Sequence, residues 1–120
     1  MTEVGTGEAL AVDAYGCDAA RLRSSEALAA VFDAVVGELV LRPLAPARWH
    51  AFPGAGGVTG FLLLAESHLA VHTFPERGFA AFDLYCCRPR EPWPWSERLA
   101  ALLGASRVTV RRLVRGEGDA

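Results

Sequence analysis

Residues 61–87 read FLLLAESHLAVHTFPERGFAAFDLYCC, and the fold turns on how this stretch is divided. Three apolar segments run through it or lead into it, at residues 58–65, 69–73 and 79–86. Each has the length of a buried strand and is too short for a buried helix. Pro75 and Gly78 punctuate the connection between the last two. Glu66-Ser67-His68 closes the first apolar run. A second imidazole, His72, and vicinal thiols, Cys86 and Cys87, follow it. Surface polarity alone explains these groups poorly, because apolar residues flank them on both sides.

Working outward, residues 9–14 alternate weakly as a strand does, and Gly16-Cys17-Asp18 reads as a turn. Ser24 or Ser25 caps a helix, with Glu26 in its first turn. Leu28, Val31, Phe32, Val35 and Leu39 repeat at helical period on one face, and Gly37 is the expected stop. Residues 39–44 and 48–52 read as short strand pieces interrupted by Pro43 and Pro46. Leu99, Leu102 and Leu103 mark a second helix, with Pro-Trp-Pro-Trp before it at 92–95 and Gly104 as its C-cap. Val108-Thr109-Val110 opens a last strand, and fraying is expected from Gly116. The pattern predicts an α+β fold. It is a two-layer sandwich of a mainly antiparallel sheet with two helices on one face, in a single domain over residues 1–120.

The composition allows such a core. Of 120 residues, 52% are hydrophobic and 22% charged, enough to fold without disulfide or metal staples. A net charge of −2 argues against nucleic acid or an anionic membrane as partner. The arginines at 107, 111, 112 and 115 read as a solvated strand face beside Glu117 and Asp119. The N-terminus lacks the basic segment of a secretory signal. No apolar run approaches the roughly 18 residues of a membrane span. Three cysteines, two of them adjacent, make a poor disulfide framework, so a cytoplasmic protein with reduced thiols is expected. All twelve basic residues are arginine, which closes Schiff-base chemistry through a lysine amine and, with it, pyridoxal phosphate. The loop Gly54-Ala55-Gly56-Gly57 lacks the Lys-Ser/Thr and the following helix of a phosphate cradle.

ALAVDAYGCD (9–18), FPGAGGVTGFLLLAESHLAVHTFPE (52–76), GFAAFDLYCC (78–87) and VTVRRLVRG (108–116) together resemble the small prokaryotic S-adenosylmethionine decarboxylases. These are pyruvoyl enzymes made as proenzymes. The resemblance runs from about Gly7 to Gly116. It implies that the Ser67 hydroxyl attacks the Glu66 carbonyl to form an ester, and that loss of the Ser67 α-proton then eliminates that ester. A pyruvoyl group is left on residues 67–120, and Glu66 becomes the C-terminus of residues 1–66. By the same resemblance His72 promotes the elimination, Thr59 assists the acyl shift, and Cys87 protonates the substrate α-carbon. His68 belongs to the cleavage motif, with a structural hydrogen-bonding role left open. Phe52 matches an adenine-stacking aromatic and Glu76 a carboxylate that binds the ribose diol.

Bland readings stand beside these. Phe52 could be a core residue, Glu76 a solvated loop acid, and Cys86 an ordinary buried small residue. His50 reads as a surface or edge residue, and Trp49, Trp93 and Trp95 as core or interface. A zinc site from His68, His72 and the cysteines is disfavoured, because adjacent cysteines are not ligand spacing; no metal is expected. The implied substrate is S-adenosylmethionine, decarboxylated for spermidine synthesis. The alternative is ornithine or arginine, whose side-chain cation would need carboxylates such as Glu8, Asp13 or Asp83. A non-catalytic regulatory paralogue is the third possibility. The resemblance also implies a homodimer, for which an open sheet edge is suited. Three departures from the family pattern are Ala9 where histidine is common, Phe74 where tryptophan is common, and a 54–56 loop one residue longer.

Overall fold

The structure, a computed structural model, describes residues 7–88 and 90–116. Its strands are β1 (Gly7–Tyr15), β2 (Arg48–Ala51), β3 (Val58–Leu63), β4 (Ser67–Phe74), β5 (Phe79–Cys86) and β6 (Arg107–Arg115). Its helices are α1 (Ala19–Leu22), α2 (Ser25–Leu39) and α3 (Trp95–Leu103), with a 3-10 turn at Pro75–Arg77. The strands form one sheet in the order β2-β3-β4-β5-β1-β6, and every pairing is antiparallel.

Strand alternation gives this sheet two unlike faces. Leu69 and Val71 of β4, Phe82 and Leu84 of β5, and Val12 and Ala14 of β1 are buried on one side. Over them lie Leu28, Val31, Phe32 and Val35 of α2 and Trp95, Leu99 and Leu103 of α3. Each of the valine, leucine and phenylalanine side chains contributes about 1.5–3 kcal/mol by burial. Trp49 fastens the short β2 to this layer. Its ring lies 4.9 Å from that of Phe32 and over Gly60, where a Cβ would fall inside the indole. The opposite face of the sheet carries no helix among the described residues.

Several boundaries differ from the sequence reading. Gly37 does not end α2, which runs on to Leu39 and stops at Val40 in the left-handed region with φ 55°. One glycine costs roughly 1 kcal/mol in a helix, and the buried face before it outweighs that. Residues 39–44 form no strand; Pro43 makes only an isolated bridge to Leu64, since proline has no N–H for a ladder. A third helix, α1, is too short to carry a period; Asp18 caps it by accepting from the Arg21 N–H. Glu66-Ser67-His68 does not end a strand but straddles a turn. The Leu64 N–H donates to the Ser67 carbonyl at 3.0 Å, so Ala65-Glu66 is a two-residue hairpin loop and Ser67 opens β4.

Glu117, Asp119 and the C-terminal fraying expected beyond Gly116 lie outside the described residues, as does the N-terminal stretch before Gly7. Among the described residues, no helix is long and apolar enough to cross a membrane.

Candidate active site

At the β3–β4 hairpin, alternation sends the Ser67 side chain toward the helix layer, where it is 9% exposed. Register places Cys86 opposite Ser67 and Glu8 opposite Cys86. Glu8, Cys86 and Ser67 thus form one cross-strand row of buried groups. Burial pushes the Cys86 thiol above its ordinary pKa, with the Arg90 guanidinium pulling the other way. Cys87, one residue on, is exposed. Its backbone N–H donates to the Glu66 carbonyl at 2.8 Å. That carbonyl belongs to the peptide bond joining Glu66 to Ser67, so the bond is held and polarised by a fixed donor. The Glu66 carboxylate accepts from Arg88 at 2.8 Å (Nε) and 2.7 Å (Nη2), and Arg90 Nη2 stands 3.9 Å away.

A second group of residues gathers at the other end of β4. Thr59 and His72 are register partners, and Thr59 Oγ1 lies 3.2 Å from His72 Nδ1. With Phe52, Phe74 and Glu76 they line a cleft of about 390 Å³. Thr73 anchors this end. Its buried hydroxyl donates to the Leu22 carbonyl at 2.8 Å and accepts from the Val58 N–H at 2.9 Å. Pro75 then starts a 3-10 turn that ends on Gly78 with φ 60°, which brings Glu76 to the mouth of the cleft. Phe52 and Glu76 are both exposed, so Phe52 is not a core residue. A flat apolar face and a carboxylate sharing one cleft suit a ring bearing a diol.

The two groups do not meet within one chain. Ser67 and His72 are five residues apart on one strand, and their side chains project to opposite faces of the sheet. At the rise of a strand that is roughly 16 Å. His68 lies between the groups on the bare face, stacked between Phe61 at 5.6 Å and Tyr85 at 5.9 Å. His50 sits on the edge strand β2 and is exposed. Trp93 and Trp95 are core residues, and Trp49 packs against the core from the side.

The carboxylates offered for a basic substrate are differently placed. Glu8 is held by Arg112 at 2.6 Å on the helix side, and Asp13 by Arg111 at 2.9 Å on the bare side. Only Asp83 is left exposed on the bare face. Sequence reasoning passed over Arg88 and Arg90. Their signal was present as two cations directly after the thiol pair, in CCRPR.

The S-adenosylmethionine decarboxylase profile matches residues 8–116. The chain belongs to the S-adenosylmethionine decarboxylase family. The S-adenosylmethionine decarboxylase proenzyme of Caldicellulosiruptor saccharolyticus is 34% identical over 113 residues, covering 92% of this chain and 88% of that protein. The proenzyme of Shouchella clausii is 37% identical over 107 residues, 87% of this chain and 80% of its own length. The crystal structure of the adenosylmethionine decarboxylase from Aquifex aeolicus matches with a TM-score of 0.80 at 25% identity, covering 98% of this chain and 96% of that one.

Within this family framework, two of the departures lie on cleft walls rather than in the core. Ala9 lines a shallow cleft of about 720 Å³ on the bare face with His68, Tyr85 and Leu113. Phe74 lines the cleft of Phe52 and Glu76.

Proposed function

We infer that this chain is a pyruvoyl-dependent S-adenosylmethionine decarboxylase, made as a proenzyme that cuts itself between Glu66 and Ser67. Residues 1–66 and 67–120 are then the two chains of the mature enzyme, which supplies decarboxylated S-adenosylmethionine for spermidine synthesis. The observation that carries this reading is the hairpin: a buried serine hydroxyl follows a carbonyl fixed by the Cys87 N–H at 2.8 Å.

In self-cleavage, Ser67 Oγ bonds to the Glu66 carbonyl carbon. The charge that develops on the carbonyl oxygen meets the Cys87 N–H. One such donor is worth on the order of 100- to 1,000-fold in rate. The C–N bond breaks, the hydroxyl proton passes to nitrogen, and an ester remains. A base takes the Ser67 α-proton, the Cβ–Oγ bond breaks, and its electrons leave with the Glu66 carboxylate. The dehydroalanine gains water and loses ammonia, leaving a pyruvoyl group at residue 67.

The residues at the hairpin fit such a group, because small Cys86 lies opposite position 67 and Cys87 presents an exposed thiol next to it. A pyruvoyl carbonyl takes the substrate amine and accepts the electrons released with carbon dioxide. Around it, Cys87 Sγ holds a proton for the substrate α-carbon. Phe52 stacks the adenine, and Glu76 accepts hydrogen bonds from the ribose diol.

His72 is the base for the α-proton, yet it stands roughly 16 Å along the strand from Ser67. A second copy resolves this. The bare face exposes Phe61 (43%), Leu63 (50%), Phe74 (41%) and Leu113 (58%), more apolar surface on one side than a monomer keeps without use. Two copies packed face to face about a two-fold axis across the middle of β4 set the His72 end of each against the Ser67 end of the other. The two open edges are the poorer choice for dimerisation, since β6 carries four arginines that repel a like strand and β2 is only four residues long.

Ornithine or arginine fits less well, because Glu8 and Asp13 are already paired and lie on opposite faces. The experiment is intact-mass analysis followed by carbon dioxide release from S-adenosylmethionine, ornithine and arginine. Wild type is expected as two fragments, Ser67→Ala as one full-length chain, and release only from S-adenosylmethionine. An active but uncut wild type sinks the mechanism; release only from ornithine or arginine overturns the substrate.

A further inference from the structure

Two arginines gather at the residue whose carbonyl forms the scissile bond. The Glu66 carboxylate faces two guanidinium groups, Arg88 at 2.7 Å and Arg90 at 3.9 Å. Nearby Glu8 is already held by Arg112. Glu91 and Glu97 line the same cleft as Arg90, and neither makes an ion pair with it among the described residues. At Glu66 itself two guanidinium groups therefore face one carboxylate. Arg90 is the more enclosed of the two arginines, at 25% side-chain exposure against 66%. Its Nε is buried and without a partner among the described residues. A buried donor left unpaired is costly and needs an explanation.

We propose that Arg90, with Arg88 beside it, is the receptor for the carboxylate that self-cleavage creates at the C-terminus of residues 1–66. The proposal rests on the self-cleavage reading. When the Ser67 Cβ–Oγ bond breaks, its electron pair leaves on oxygen and Glu66 gains a second negative charge. The Ser67 nitrogen departs as ammonia, so no new cation stays at residue 67. Two guanidinium groups then face two carboxylates. The planar fork of arginine offers the new carboxylate Nε and Nη together, which the single ammonium of a lysine could not. Arg90 is thus a positioning residue, its Nε without a partner before the cut and satisfied after it. The exposed Arg88–Glu66 pair alone would contribute little in either state.

The test compares Arg90→Gln in two backgrounds, the self-cleaving chain and the uncut Ser67→Ala chain. Arg90→Gln is expected to lower the Tm of the cleaved protein by about 5 °C more than that of the uncut one. It should also slow fragment formation about tenfold. Arg90→Lys, which keeps the charge and loses Nε, should restore part of the rate and little of the Tm difference. If Arg90→Gln does not fold, Arg90→Lys carries the same two-background comparison. Equal Tm losses in both backgrounds overturn this proposal alone. A wild-type chain that never cleaves overturns it together with the reading beneath it.

Discussion

Cys86 and Cys87 share a peptide bond and differ in everything a thiol responds to. Cys86 points into the helix layer, where burial raises its pKa, whereas Cys87 is exposed at the hairpin. Cys17, buried under the Gly78 turn, is pushed up to about 11 by desolvation. At pH 8 its reactive thiolate fraction is about 0.001. Brief treatment of the native protein with iodoacetamide should therefore add one label, at Cys87, and two more only after unfolding. Peptide mapping that found the first label at Cys86 would exchange the parts given to the two thiols. At this scale residue type marked only the place, an acid, a hydroxyl and two thiols among apolar neighbours; the parts given to Ser67, His72 and Cys87 came with the family resemblance. Arg88 and Arg90 were not legible, since arginine after a strand is ordinary and only the unpaired Nε marks one of them.

Between elements, one carboxylate ties the two long helices together. Glu38 of α2 accepts from Trp93 Nε1 at 2.7 Å and from Arg98 Nε at 3.1 Å. The hydrogen bond from Arg98, then that from Trp93, hold its pKa below the ordinary 4.5. A depressed carboxylate pKa contributes stability that is full above the unfolded value and lost as pH falls through the folded one. The Tm gap between wild type and Glu38→Gln should be open at pH 7 and close below about pH 4.5; a gap that persists to pH 3 would assign the effect to packing. The two longer helices, the main strands and the sheet class were legible because their periods of 3.6 and 2 survive in an apolar sequence. Boundaries were less so. Gly37 and the 39–44 segment were misread because local propensity yields to the packing of Val35 and to the missing N–H of Pro43. The Ala65-Glu66 turn contains neither glycine nor proline to announce it.

At the scale of the whole molecule, a spacing of five along a strand separates Ser67 from His72 in both distance and face. Period two already contains that result, but proximity in sequence reads more naturally as proximity in space. What one chain cannot encode legibly is a neighbour that would close the gap. If His72 of one copy serves Ser67 of the other, two inactive chains should repair each other. Ser67→Ala cannot be cut but keeps His72; His72→Ala keeps Ser67 but lacks its base. Each alone should remain full-length. Co-expressed in equal amounts with different tags, they mix at random, and half of the His72→Ala chains find a Ser67→Ala partner. Intact mass should then show about half of the His72→Ala chains cut between Glu66 and Ser67, and no Ser67→Ala chain cut. Adding Phe61→Asp and Leu63→Asp to both chains should abolish the repair by turning the dimer into monomers on a sizing column, because a buried unpaired charge in an apolar interface is costly. If tagged pull-down proves that mixed dimers form and the His72→Ala chains stay whole, His72 does not act across the interface, and the face-to-face arrangement loses its reason.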